Sequence, residues 1–320
     1  MLNRIVCLLF CAVISVHGNE EEAKNILKKV RERSNSLMPI EISFKQVTTV
    51  YPLFESKASA EEYYKQNNSE EGGRSNLRKL GNVDNEEFIQ NQIETNTQIR
   101  QIDSELLIKC YDYDHYLHIV NTDYSTGYTL LEPNYLAIYN VAQRSVSIES
   151  NRAVGRDYIP MFHYELPLVK LEKEKEIESN IVKEGTCEFF VRDEAGEYKL
   201  GVDAKTNLPI YSIFDVKTKT YAYYYEDYEW LNEIYIPRQV VCKVYEIHPL
   251  TKNKYVNYKI TYRVESCKLS PNFNKNELTF PIQNGVTIHD QRTNKLDVIK
   301  LQDNQMMDFK EYVYEMMEKQ

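Results

Sequence analysis

The side chains able to do chemistry in this chain are few and poorly grouped. Asp112, Asp114, His115 and His118 come nearest to a metal-ligand set, because carboxylate and imidazole donors fall within one short stretch. The text around them reads as a strand, on which residues three apart face opposite sides, so His115 and His118 share an ion only if the strand bulges. Glu226, Asp227 and Glu229 beside Trp230 supply the two carboxylates that glycoside hydrolysis needs across a sugar bond. Acids beside aromatics are common at strand ends, and the solvated edge of a hairpin accounts for them. His163, His248 and His289 have no partner visible in the sequence. The nucleophile-elbow GxSxG, the zinc-binding HExxH, the dinucleotide GxGxxG, the P-loop and the EF-hand loop do not occur. No catalytic residue, metal or cofactor is therefore expected, and the chain reads as a non-enzyme.

The start of the chain says where it goes. One basic residue, Arg4, precedes an apolar run from Ile5 to Val16, and Val16-His17-Gly18 offers small residues at the -3 and -1 positions of a cut. That reads as a secretory signal at residues 1–18. The run is too short to cross a bilayer, which needs about 20 apolar residues, so an exported, periplasmic protein is expected. Cys7 and Cys11 leave with the signal, and Cys110, Cys187, Cys242 and Cys267 remain. Four thiols allow three pairings. None has the spacing of a zinc or redox site, and buried residues on strands with at most one disulfide are expected.

The elements that must position any site are mostly strands. Among 320 residues there are 26 Tyr against one Trp and 11 Phe, with only 10 Gly and 10 Pro, an enrichment that suits a pleated, half-buried surface. Acids exceed bases by 48 to 39, which leaves no source for the counterion release that drives nucleic-acid binding. After an amphipathic helix near residues 20–36, Ile40, Ile42 and Phe44 alternate with Glu41, Ser43 and Lys45, the period of a half-buried strand. Residues 55–85 are polar and aperiodic, and read as a long loop or insertion. From residue 87 to about 150, and again from 181 to 289, the text is strand-like with short polar turns, which implies antiparallel pairing. Val256, Tyr258, Ile260, Tyr262 and Val264 fall on one face, opposite Asn257, Lys259, Thr261, Arg263 and Glu265. Near the end, Met306, Phe309, Val313 and Met316 have helical spacing after Asp303, a good cap residue.

A resemblance becomes visible from Tyr198 onward. A strand ending at Asp203, followed by Thr206, Leu208 and Pro209, then Tyr225 to Tyr228, then Ile236-Pro237-Arg238, resembles the second half of LolA-like lipoprotein carriers and their RseB-like relatives. Leu269, Pro271, Phe280, Gly285 and Asp290 look like the closing pattern of the same group, and the helix ILKKVRERSNSLMPIEISFKQ is similar to its opening. The resemblance covers roughly residues 23 to 292.

The resemblance implies a mainly β, α+β fold. Its centre is a curved antiparallel sheet, an incomplete β-barrel, with an N-terminal helix and other helices packed on its concave face. It also implies an apolar cavity that receives the acyl chains of a lipid or acylated lipoprotein. The expected organisation is a signal at 1–18, a LolA-like domain at 19–295 with the polar insertion at 55–85, and a C-terminal helix or tail at 296–320. Ile40, Ile42, Phe44, Val256, Tyr258, Ile260, Tyr262 and Val264 are the expected cavity lining. The expected function is an exported lipid- or lipoprotein-binding protein of the carrier type, monomeric and without nucleic acid. The alternative is an RseB-like sensory or interaction module that holds an envelope protein.

Overall fold

The structure is a computed structural model describing residues 20–69, 85–112, 114–150, 160–164, 167–168, 171, 178–181, 185–194, 196–216, 218–301 and 305–318. The expected signal at 1–18 lies outside these residues, as do the proposed cap Asp303 and the lysine-glutamate run near 172–177. Helix α1 (Glu20–Ser36) leads into strand β1 (Ile40–Val50), and helices α2 (Lys57–Ser69) and α3 (Asn85–Thr97) stand between β1 and β2 (Arg100–Cys110). Strands β3 (Tyr116–Thr122), β4 (Thr126–Glu132), β5 (Tyr135–Asn140) and β6 (Ser145–Ser150) follow as a meander. After a single 3-10 turn at Pro160–Phe162 come β7 (Glu178–Ile181), β8 (Thr186–Asp193), β9 (Gly196–Asp203), β10 (Pro209–Val216), β11 (Lys219–Leu231), β12 (Ile234–Ile247) and β13 (Lys254–Leu269). The chain ends with β14 (Pro281–Gln283), β15 (Thr287–Asp290), β16 (Lys295–Val298), β17 (Met306–Asp308) and helix α4 (Phe309–Glu318).

Among the described residues, 15 strands form one curved, unclosed sheet in the order β16-β15-β6-β5-β4-β3-β2-β1-β13-β12-β11-β10-β9-β8-β7. Every neighbouring pair is antiparallel except β15 with β6, so short hairpins suffice for nearly all connections. Strand β1 closes the gap between the two meanders by pairing β2 on one side and β13 on the other. The inner face of this sheet converges on α1. Ala23, Ile26, Leu27 and Val30 of α1 share one core with Leu136 of β5, Phe189 of β8 and most inward residues between them, and only a concave sheet lets strands so far apart meet one helix.

The back of the sheet is covered at one end. Tyr116, Leu131 and Leu136 belong to the inner core, whereas their neighbours Leu117, Leu130 and Ala137 belong to a second core with Phe280, Ile288, Phe309 and Val313, the period-2 alternation carried through three strands. Phe280 and Phe309 stack at 4.5 Å. Helix α4 thus packs on a face of the sheet. It begins at Phe309, capped by Asp308, whose Oδ1 accepts the Lys310 N–H at 2.8 Å. Met306, expected on the helix, pairs with Gln283 in β17 instead, and the side chain of Met316 lies outside the description.

Two expectations change. Residues 57–69, read as loop, form α2, and the strand-like text from residue 87 forms α3. Ile93 of α3 is buried against Phe54 and Ala60, so the pair gains a small core of its own. That tertiary contact decides between helix and strand where a short apolar pattern cannot. His248 ties this pair to the β12–β13 turn, its Nε2 lying 2.8 Å from the Leu53 carbonyl oxygen. Cys242 and Cys267 are free thiols.

Candidate functional site

The inner face is best followed across the ladder. One row runs Phe189, Leu200, Ser212, Tyr223, Cys242, Ile260, Thr48, Ile102, each residue directly opposite the next. It is dry at the β8 end, where Phe189, Leu200 and Ser212 have no exposure, and open at the β2 end, where Ile102 is 47% exposed. A second row runs Ile42, Ile108, His118, Thr129, Ile138. It too passes from fully buried Ile42 and Ile108 to Ile138, which is 40% exposed. Between the open ends lie half-buried Thr122, Val120 and Thr129. The result is a band on the concave side of β2 to β5 in which apolar and neutral polar side chains are partly accessible.

No Lys, Arg, Asp or Glu stands at these row positions. Charges occupy the outer face: Glu41 takes the ammonium groups of Lys268 at 2.6 Å and Lys109 at 3.5 Å. The Lys268 bond holds the Glu41 carboxyl below the usual carboxylate range. Along these two rows the concave face is therefore apolar or neutral, which suits an acyl chain and would penalise an ion; away from them the Arg33 guanidinium of α1 lies over the inner Tyr228 ring, 5.4 Å from its centre.

The tyrosines supply most of the neutral polarity. Tyr221, Tyr223 and Tyr225 face the inner core while Tyr224 lies on the other side beneath Lys243. Tyr225 shares a hydrogen bond with Ser212 at 2.9 Å, and Tyr228 donates to the Pro209 carbonyl at 2.6 Å. Burial pushes the Tyr223, Tyr225, Tyr228 and Tyr262 phenols well above their ordinary value. These hydroxyls stay neutral at any physiological pH. His163 stacks on Tyr223 with ring centres 4.0 Å apart, and burial pushes its imidazole down to about 3.

Of the eight expected lining residues, Ile40, Ile42 and Phe44 are fully buried beside α1. Tyr262 and Val264 are nearly so, and Tyr258 and Ile260 are half-buried at the edge of the same core. Val256 stands apart. The β12–β13 ladder shifts register between Val244 and Tyr245, so Val256 lies opposite Tyr245, whose ring sits under Lys254. A second shift, at Glu265, flips the strand again, so that Cys267 and Leu269 rejoin the inner core.

The polar groups expected to do no chemistry are placed apart. His115 contacts Asp112 at 2.7 Å in the β2–β3 turn, while His118 lies within β3 on the inner face. Among the described residues no group of three metal-ligating side chains forms. Glu226 and Glu229 are exposed and bonded to Gln239 and Arg238 on the facing strand. The turn motif is a real cap: Asp203 Oδ1 accepts from the Thr206 N–H at 2.7 Å and hydroxyl at 2.8 Å. In the sequence His118 stands out only as a possible metal ligand. The alternation Tyr116, His118, Val120 was the signal that it belongs with the inner face, beside Thr129, Ile102 and Ile138, which do not stand out there.

No protein-family model matches the sequence, and no curated protein matches it. Three solved structures are similar to the chain. A domain of an outer membrane lipoprotein-sorting protein from Vibrio parahaemolyticus is 10% identical, over 81% of this chain and 97% of that one, with a TM-score of 0.43. A LolA superfamily protein from Nitrosomonas europaea is 10% identical over 81% and 97%, at 0.44. A DUF1329 family protein from Desulfovibrio piger is 7% identical over 81% and 96%, at 0.44.

Proposed function

We propose that this chain is an exported lipid-binding protein of the carrier type, which shields the acyl chains of a lipid or lipoprotein in the cell envelope along the open band of its concave face. The observation that supports this is the pair of uncharged rows that pass from buried to half-buried side chains and leave Ile102 and Ile138 47% and 40% exposed at their ends. Covering such side chains with an acyl chain gains about 0.8 kcal/mol per buried CH₂, and a lipid is the partner that offers many of them. Half-buried Tyr258, Ile260, Gln46 and Thr48 extend the band across β1 and β13. Tyr258 and Tyr262 present an apolar ring with a neutral hydroxyl, which fits an amphiphile better than a hydrocarbon.

Native mass spectrometry of the purified protein, with organic extraction of whatever it carries, tests this reading. Bound acyl chains are expected, displaced when Ile102 and Ile138 are replaced together by Asp. A protein that carries no lipid and takes up none from detergent-free vesicles would refute it.

A second reading, a partner-binding module of the envelope, has one observation in its favour. Trp230, 57% exposed, packs edge-on against Tyr235 with ring centres 4.6 Å apart at the tip of the β11–β12 hairpin, and exposed Trp and Tyr are favoured interface anchors. A partner that binds in the absence of lipid and is lost on Trp230→Ala would support it.

A further inference from the structure

Among the described residues, His118 is a polar side chain of the concave face whose buried tip the packing does not use. Its Nε2 atom is buried and has no hydrogen-bond partner. It sits opposite Ile108 on one side and Thr129 on the other, and the next residue along that row is the exposed Ile138. An orphaned buried donor costs the full desolvation of the group, so such atoms are rare unless something else satisfies them. It stands two ladder positions from the exposed Ile138, and because Nε2 itself is covered, a ligand group reaches it only when a neighbouring side chain turns aside. Directly opposite residues in an antiparallel pair have their Cβ atoms about 5 Å apart, so one polar group can address His118 and the Thr129 hydroxyl together.

We propose that His118 Nε2, with Thr129 across the β3–β4 ladder, is the hydrogen-bonding anchor for the acyl carbonyl of the bound lipid. This rests on the lipid-carrier reading above and deepens it. The imidazole is neutral, because burial pushes it down to about 4, and in the tautomer that carries the proton on Nε2 it donates to a carbonyl oxygen with no ion pair involved. The Thr129 hydroxyl supplies a second donor, or accepts from a carboxyl O–H. Ligands of this class are fatty acids, fatty esters and fatty amides, whose chains then run along Val120, Ile138 and Ile102. A pure hydrocarbon fits the same band without engaging either polar group.

The test compares three fluorescent probes on the purified protein and its variants: cis-parinaric acid, its methyl ester, and diphenylhexatriene, which has no polar group. Wild-type protein is expected to bind all three. His118→Phe is expected to weaken the acid and the ester about tenfold, the size of one net hydrogen bond, and to leave diphenylhexatriene unchanged. His118→Gln, which keeps a donor, is expected to restore most of the loss, and Thr129→Val to weaken the acid and ester by a smaller factor. Because the His118 Nε2 has no hydrogen-bond partner among the described residues, His118→Phe should fold at least as stably as the wild type. If it does not fold, Thr129→Val and His118→Gln carry the same comparison. Three equal shifts in His118→Phe, or no shift in any, would overturn the anchor while the lipid-binding band stands. Failure of the wild type to bind any probe would overturn both.

Discussion

Ser34 and Tyr164 lie 130 residues apart in the chain, yet their side-chain oxygens sit 2.7 Å apart in the buried core, joining the last turn of α1 to the segment after the 3-10 turn. The Ser34 hydroxyl also reaches the Val30 carbonyl at 3.1 Å, and the Tyr164 ring meets Tyr225 edge-on. One hydroxyl pair therefore connects the helix to the aromatic inner face of β11. Removing either member breaks this bond between the helix and the segment after the 3-10 turn. Ser34→Ala and Tyr164→Phe should each cost about 1–3 kcal/mol in urea unfolding. The double variant should cost less than the sum of the two, the signature of a direct contact. Strict additivity would refute the pairing.

Leu27 is the apolar centre of α1, 2% exposed and part of the core that joins both meanders. Leu27→Ala should lower stability by about 2–5 kcal/mol, because the sheet that surrounds the helix cannot collapse onto the cavity. The same substitution at Lys28, exposed on the opposite side of the helix, should change it by less than about 0.5 kcal/mol.

Acid should loosen the fold through two histidines. Burial holds His118 near 4 and His163 near 3, so both are neutral when folded, whereas the unfolded chain takes up their protons below about 6.5. Stability is full above that pH and falls as the pH drops toward 4, by up to about 1.4 kcal/mol per unit for each residue. Chemical unfolding at a series of pH values should show this slope, and the double variant His118→Phe, His163→Phe should flatten it. An unchanged slope would mean that neither group is buried neutral.

The thiols should be slow and redox-silent. Burial pushes Cys242 up to about 12 and Cys267 up to about 11, leaving little thiolate at about pH 8. Iodoacetamide should label Cys242 and Cys267 fully only after unfolding, and a reducing agent should not move the melting temperature. A drop on reduction would reveal a disulfide.

The helical pair α2 and α3 is dispensable to the sheet. Val50 at the end of β1 stands opposite Arg100 at the start of β2, so a short Gly-Ser turn can replace residues 51–99 without moving either strand. The shortened protein should keep its strand signal in circular dichroism. Among the described residues it should lose the small core of Phe54, Ala60 and Ile93, the Leu53 carbonyl bond to His248 and the Tyr51 N–H bond to the Asn257 carbonyl at 2.8 Å. Global unfolding would show that the pair supports the sheet.

Much of this was legible in the residues, and the exceptions share a cause. The alternation of β13 and β1 gave their inward faces, and the cap residues Asp203 and Asp290 mark turns that hold: Arg292 grips Asp290 through two bonds of 2.9 and 2.8 Å. The side of Val256 was not legible, because a one-residue shift in the ladder reverses every position beyond it, and that shift exists only in the pairing with β12. Helix α3 was not legible either. Its apolar residues Phe88, Ile89 and Ile93 suit a strand as well as a helix until Ile93 meets Phe54 and Ala60.

The sequence by itself determined the class of the protein. Tyrosine-rich alternating segments with short polar turns can only be an antiparallel sheet, and an amphipathic first helix must be buried by it. Which side chains remain open on the concave face was decided by tertiary structure alone. Ile42 and Ile138 are both isoleucines on inward positions of the same row, yet one is sealed beneath α1 and the other stays 40% exposed. The difference is where the cover given by α1 and the described residues from Met161 to Leu171 stops on a wide sheet, and no local pattern carries that distance.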